Sequence, residues 1–164
     1  MKKIILIRHA KSDSKHPYSS DFERPLNERG KKDAPIMAKL LKELYPDIQL
    51  FLSSPAVRAK HTAVFFAEQF GIEQNKIHFN KNLYLASPHD ILFTLSTLDN
   101  SLNSVAVVAH NPGITDLASH LGRKFISNMP TSSFAALSIN ASSWHSIELS
   151  PGTLENFHFP KEPK

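Results

Sequence analysis

The chain has no cysteine. Disulfides, thiolate nucleophiles and cysteine-bound zinc are therefore excluded, and a reducing compartment suits the composition. Glycine is scarce, with five in 164 residues, and none of them builds a glycine-rich phosphate loop, which speaks against a P-loop NTPase. No apolar run approaches the length of a membrane span. Lys2-Lys3 followed by Ile4-Ile5-Leu6-Ile7 has the order of a signal peptide, but the run stops at Arg8, too short for an h-region. A cytoplasmic location with no membrane partner is the expectation. The formal charge is +4, yet the lysines are scattered, with no arginine-rich stretch and no basic strand interleaved with aromatics. No nucleic-acid partner is expected; a mild positive field suits anionic substrates. Repeats and low-complexity segments are absent. His61, His89, His120, His145 and His158 lack metal-ligand spacing, and His16 and His78 read as surface or strand positions. Neither a metal nor a cofactor is expected.

What is present suits one domain over residues 1–164, with 41% hydrophobic and 21% charged residues. Strand-like runs at 3–7, 49–52, 77–79 and 104–109 alternate with helix-like runs. That order predicts a three-layer α/β/α sandwich around a mostly parallel sheet. Ile36, Met37, Leu40, Leu41 and Leu44 share one helix face. The start of that helix has two solutions. Asn27 caps it with Pro35 inside, or it begins near residue 33 with Pro35 in its first turn. Ser54-Pro55 and Ser87-Pro88 each read as an N-cap followed by proline at the first helical position. Gly71 and Gly122 read as helix ends, and a further helix starts after His110-Asn111-Pro112-Gly113. Runs 133–139 and 144–149 read as late strands at an antiparallel edge, and 151–164 as an irregular tail tacked down by Phe157 and Phe159.

Arg8-His9 directly follows the first strand, Arg58 lies in the first turn after the second, and His110 follows the fourth. Ligands of open α/β sheets bind at the carboxyl ends of the strands. Two guanidinium groups, two imidazoles and proline-started helix N-termini there point to a phosphoryl ligand. The polar stretch 11–27 is long for a connection between strand and helix, as functional loops often are. Taken alone, Arg58 also suits a cap or an ion pair with an acidic neighbour such as Glu68, although its place in the Ser-Pro-started helix favours phosphate contact; Arg24 suits a role in holding the long loop equally well. Ser12, Lys15, Arg24 and Asn111 are candidate secondary phosphate contacts.

Four blocks carry a resemblance to a known family. Arg8-His9-Ala10 resembles the Arg-His-Gly signature of the histidine phosphatase superfamily, and the segment from Ser53-Ser54-Pro55 through Arg58-Ala59 to Thr62 is similar to its second block. Arg24-Pro25-Leu26-Asn27-Glu28-Arg29-Gly30 and His110-Asn111-Pro112-Gly113 resemble elements of the small phosphohistidine phosphatases of the SixA type, and Met129-Pro130-Thr131-Ser132-Ser133 is also similar. The resemblance implies a phosphoglycerate mutase-like fold. It implies His9 as a nucleophile that takes the phosphoryl group, Arg8 and Arg58 as ligands of the phosphoryl oxygens, and His110 as a transition-state donor. Water then hydrolyses the phosphohistidine, without a metal.

Two departures matter. Ala10 stands where the superfamily usually has glycine. Larger members carry a glutamate acid after the third strand, whereas this chain reads Asn82-Leu83-Tyr84-Leu85-Ala86-Ser87-Pro88. Lack of that acid suits a phosphohistidine or aryl phosphate leaving group better than an alkoxide; Asp13, Asp21 and Asp90 stay open as substitutes. The implied partner is a phosphorylated protein or small phosphorylated substrate, together with phosphate ion. A small-molecule phosphomonoesterase and a non-catalytic phosphate-recognition module are the competing readings.

Overall fold

A computed structural model of the chain describes residues 1–15, 17, 18 and 20–161. His16 lies outside these. Six strands form one sheet: β1 (Lys2–Arg8), β2 (Leu50–Ser53), β3 (His78–Phe79), β4 (Ser104–Ala109), β5 (Phe134–Ile139) and β6 (Gly152–His158), in the spatial order β3-β2-β4-β1-β5-β6. The first four run parallel, β5 pairs antiparallel with β1, and β6 pairs antiparallel with β5, so the sheet is mixed. Its helices are α1 (Glu28–Leu44), α2 (Val57–Gln69), α3 (Pro88–Ser96) and α4 (Gly113–Gly122). The three-layer α/β/α architecture and the phosphoglycerate mutase-like class are those expected.

Ile4 to Ile7 are fully buried because each face of β1 is covered. Ile4 and Leu6 join Leu95, Leu117 and Trp144 in the core under α3 and α4. Ile5 and Ile7 point the other way, into the core with Met37, Leu41 and Phe66 under α1 and α2.

Four local expectations need correction or completion. Helix α1 begins at Glu28 with Pro35 in its interior; Asn27 accepts the Gly30 N–H at 2.9 Å, and burial of Gly30, Ala34, Met37 and Ala38 holds the early turns in place. Ser54 does not cap α2. Its Oγ accepts the N–H of Ala56, and the helix starts at Val57 after N-cap Ala56. Ser87 does cap α3, in a reciprocal capping box with Asp90. The run 144–149 is a 3-10 helix, not a strand: its buried residues Trp144 and Ile147 are three apart, the period of that helix. The supposedly irregular tail instead supplies β6, where Leu154 and Phe157 pack on the core. Phe159 is half exposed at 53%, so Phe157 is the tacking residue.

Two motif glycines are set by close backbone approach. A Cβ on Gly30 would stand 2.2 Å from the Lys11 carbonyl oxygen, and one on Gly113 would stand 1.9 Å from that of Ala86. Only glycine lets α1 and α4 press against the loops that surround the site.

Candidate active site

Strand register brings the key side chains together. Arg8 pairs with Ala109 across β1 and β4, and Ser53 pairs with Val108 across β2 and β4. His9, His110 and Ser54 are therefore the first residues beyond three adjacent parallel strands. Neighbouring strands lie about 4.8 Å apart, and the two imidazole centroids are 5.1 Å apart, tilted by 55°. Both histidines are buried, with 7% of His9 and 2% of His110 exposed.

His9 Nδ1 lies 2.8 Å from the carbonyl oxygen of Ala10. A carbonyl only accepts, so Nδ1 carries the proton and Nε2 keeps its lone pair. Burial, more than the nearby charges of His110, Arg58 and Arg8, lowers the His9 pKa to about 3, against the raising effect of the Ala10 carbonyl. The ring is neutral at physiological pH, as a nucleophile must be. Ala10 is itself fixed: its N–H donates to Thr62 Oγ1 at 2.9 Å, and Thr62 donates to the Arg58 carbonyl at 2.7 Å.

His110 Nε2 meets Ser54 Oγ at 2.7 Å. Among the described residues Nε2 is the acceptor offered to the proton of the Ser54 hydroxyl, whose oxygen accepts from Ala56; this assigns the His110 proton to Nδ1. That Nδ1 is buried with no hydrogen-bond partner. Burial first, then the Arg58 charge, lowers the His110 pKa to about 4, so it too is neutral.

A pocket of ≈ 350 Å³ is lined by Arg8, His9, Arg24, Arg58 and His110, together with Lys11, Ser12, Asp21, Leu85, Asn111 and Thr131. Arg58 sits in the first turn of α2 and is 2% exposed. Its partner is Asp21, not Glu68: Nη1 reaches the Asp21 carbonyl at 2.8 Å and Nη2 the carboxylate at 2.9 Å. Arg24 Nη2 donates to the same carboxylate at 2.7 Å. Arg8 Nη1 donates to the Met129 carbonyl at 2.8 Å. The Nε atoms of Arg8, Arg24 and Arg58 are buried without a partner. Three such guanidinium N–H groups and one imidazole N–H around one pocket are suited to a tetrahedral oxyanion.

The secondary candidates divide. Ser12 and Arg24 line the pocket. Asn111 lines it too, but its amide serves as a strut: Nδ2 donates to Asn128 Oδ1 at 2.8 Å and to the Met129 carbonyl at 3.2 Å, while Oδ1 accepts from Thr115. Lys15 lines a different cavity, of ≈ 510 Å³, with Asp13, Tyr18 and Arg29. Lys11, Thr131 and Leu85 are pocket residues that the sequence reading did not name as phosphate contacts, although Lys11 follows Arg8-His9-Ala10 and Thr131 lies in the Met129–Ser133 block. The open acid candidates also separate. Asp90 is spent on the α3 cap. Asp13 accepts from the Lys15 N–H and from Tyr18. Asp21 stands in the pocket, where a hydrogen bond from Tyr84 and then its contacts with Arg58 lower its pKa to about 2 against the effect of burial. It is a carboxylate, not an acid, at neutral pH. Among the described residues no group of three His, Asp or Glu side chains could hold a metal ion. Among the described residues, likewise, no helix is long and apolar enough to cross a membrane.

Paired imidazoles set among guanidinium groups at the carboxyl end of a parallel sheet define a hydrolase of the histidine phosphatase class. The model of the histidine phosphatase superfamily (branch 1) matches residues 4–83, and the chain belongs to that superfamily. An uncharacterized chloroplastic protein of Arabidopsis thaliana is 30% identical over 153 residues, covering 87% of this chain and 69% of its own length. The candidate phosphohistidine phosphatase SixA of Agrobacterium tumefaciens superposes with a TM-score of 0.80 at 28% identity, covering 98% of this chain and 99% of that one. The protein histidine phosphatase SixA complexed with tungstate has the same fold, with a TM-score of 0.79 at 23% identity over 94% of this chain and 95% of that one.

Proposed function

We propose that the protein hydrolyses phosphohistidine borne on a protein, through a covalent phosphoryl group on His9. The observation that carries this reading is a buried, neutral imidazole whose Nδ1 is committed to Ala10, beside three guanidinium Nε atoms without partners. Nε2 of His9 attacks phosphorus. Arg8, Arg24 and Arg58 bind the phosphoryl oxygens, and His110 Nδ1–H donates to one of them. These groups neutralise charge that spreads over the equatorial oxygens as the bond to the leaving group breaks. Water then attacks the phosphorus, His9 regains its lone pair, and phosphate leaves. The SixA relatives support the substrate class, and tungstate, a tetrahedral oxyanion, is bound by one of them.

The test mixes the protein with a labelled phosphohistidine peptide and a panel of phosphomonoesters, followed by rapid quenching. An acid-labile, alkali-stable label is expected on the wild-type protein and absent from His9→Ala. A chelator is expected to leave turnover unchanged. Turnover of small phosphomonoesters without phosphohistidine would turn the assignment to a small-molecule phosphatase; binding of phosphopeptide without turnover would turn it to a recognition module. Equal turnover by wild type and His9→Ala would rule out His9 as nucleophile.

A further inference from the structure

We propose that Asp21 accepts the ring N–H of the departing imidazole and thereby makes the site selective for phosphorus–nitrogen bonds. This rests on the phosphohistidine reading above.

Among the described residues that line the pocket, Asp21 is the only carboxylate. Its side chain is 45% exposed, so it stands at the mouth, where a leaving group must pass, while Arg58 beneath it is buried. Three hydrogen bonds hold it there, from Arg24 and Arg58 and from Tyr84, whose hydroxyl is 2.7 Å from Oδ2. Tyr84 is braced edge-on against His110, with centroids 5.5 Å apart, and against Phe22 at 5.2 Å. Arg24 and Arg58 each spend terminal nitrogens on Asp21 and keep Nε unpartnered. Carboxylate and phosphoryl group can thus share the same two guanidinium groups side by side. Leu85, with φ of +50° and 57% exposed, forms an apolar part of the same rim. A non-glycine residue held in that region is a mark of functional sites.

Such an acceptor suits the chemistry. With its distal nitrogen protonated, the phosphohistidine ring is an imidazolium. The lone pair of His9 Nε2 forms the new nitrogen–phosphorus bond. The old one breaks with its electron pair returning to the substrate ring, which leaves as neutral imidazole and keeps its distal proton. No proton is transferred, and no general acid is consumed. His9 in turn becomes a phosphoimidazolium whose Nδ1–H still donates to the Ala10 carbonyl. Nucleophile and leaving group are the same ring in opposite states. Ala10 holds the N–H of one, and Asp21 holds the N–H of the other. An aryl or alkyl phosphate dianion offers Asp21 no donor and is repelled by it, a discrimination by unfavourable charge.

The test compares kcat/KM of wild type and Asp21→Asn on a phosphohistidine peptide and on 4-nitrophenyl phosphate at neutral pH. The ratio of phosphohistidine to aryl phosphate turnover should fall about tenfold or more. A change by the same factor on both substrates would overturn the proposal and leave Asp21 as a loop fastener. Wild type inactive on phosphohistidine but active on the aryl ester would instead sink the functional reading beneath it. Should Asp21→Asn not fold, Tyr84→Phe reads the same claim. It removes one of the three hydrogen bonds that hold the carboxylate, so the preference for phosphohistidine should shrink about threefold or more, and an unchanged preference would count against Asp21.

Discussion

Thr62 Oγ1 receives the backbone N–H of Ala10 at 2.9 Å, and so a helix side chain fixes the peptide whose carbonyl orients His9. The same hydroxyl donates to the Arg58 carbonyl, which ties the first turn of α2 to the end of β1. Phosphoryl transfer depends on placing nucleophile and oxyanion ligands within a few tenths of an ångström. Thr62→Val keeps the shape and removes the hydroxyl, leaving a buried N–H without an acceptor. It should cost about 1–3 kcal/mol of stability and lower kcat on 4-nitrophenyl phosphate about tenfold. Thr62→Ser should restore both. Urea unfolding and steady-state kinetics check the pair; full activity in Thr62→Val would show that Ala10 needs no such anchor.

Arg58 binds through its fork. Two terminal nitrogens hold Asp21 while Nε stays unpartnered. Lysine supplies the charge but a single point of contact. Arg58→Lys should therefore lower kcat/KM for either substrate class about 10²-fold or more, with kcat falling as well as KM rising. A rise in KM alone would make Arg58 a ground-state ligand only.

The two buried imidazoles make stability depend on pH. Unfolded, each takes up a proton near 6.5; folded, His9 does so at about 3 and His110 at about 4. Between these values the unfolded chain binds more protons than the folded one. Stability is thus complete above pH 6.5 and is lost as pH falls toward 4. The slope is at most about 1.4 kcal/mol per pH unit for each histidine. Asp21 acts in a lower window, between its ordinary 3.8 and about 2, and loses its contribution only there. Unfolding midpoints at pH 7 and pH 5 should differ in wild type, and the difference should shrink in His9→Gln and again in His9→Gln with His110→Gln. Equal stability at the two pH values would mean that the rings are not held neutral.

The four residues proposed to carry the reaction were legible as a group because each follows a strand or opens a helix, positions that periodicity and turn residues mark, and they do line one pocket. Arg8 and His9 close the apolar run of β1, Arg58 opens α2, and His110 ends β4. Asp21 was one of three aspartates left open as an acid, and nothing in the sequence singled it out. It lies 37 positions from Arg58 within a polar loop, and only folding brings its carboxylate to that guanidinium. Ser54 was misread because a serine before proline looks like a cap; its bond to His110 spans 56 positions. The error at residues 144–149 has a similar origin. A short apolar run suits a strand or a helix until burial decides, and here Trp144 and Ile147 turn inward together. The strand β6 was missed because Glu155 and Asn156 dilute its apolar pattern, as expected at a sheet edge.

Lys2 illustrates a charge whose place in the fold its sequence neighbours conceal. Beside Lys3 it looks like a solvated basic pair, yet it is 1% exposed. Its ammonium donates to the carbonyls of Asn100 and Leu102, each at 2.7 Å, and to Asn103 Oδ1 at 3.1 Å. It also lies 5.2 Å from the centroid of the Trp144 ring, whose Nε1 donates to the same Leu102 carbonyl at 3.0 Å. Three donors thus meet three acceptors and a π face, which compensates the cost of burying the charge. Lys2→Met keeps the length of the side chain and removes every donor. Leu102 retains its bond from Trp144, but the Asn100 carbonyl loses the ammonium. The expected cost is about 2–3 kcal/mol. Lys2 starts the strand whose far end carries the site, so kcat on 4-nitrophenyl phosphate should stay at the wild-type value under conditions where the variant is folded. A stable Lys2→Met would mean that apolar packing against Trp144 suffices there; a stable fold with lost activity would mean that strain at this end of β1 reaches His9.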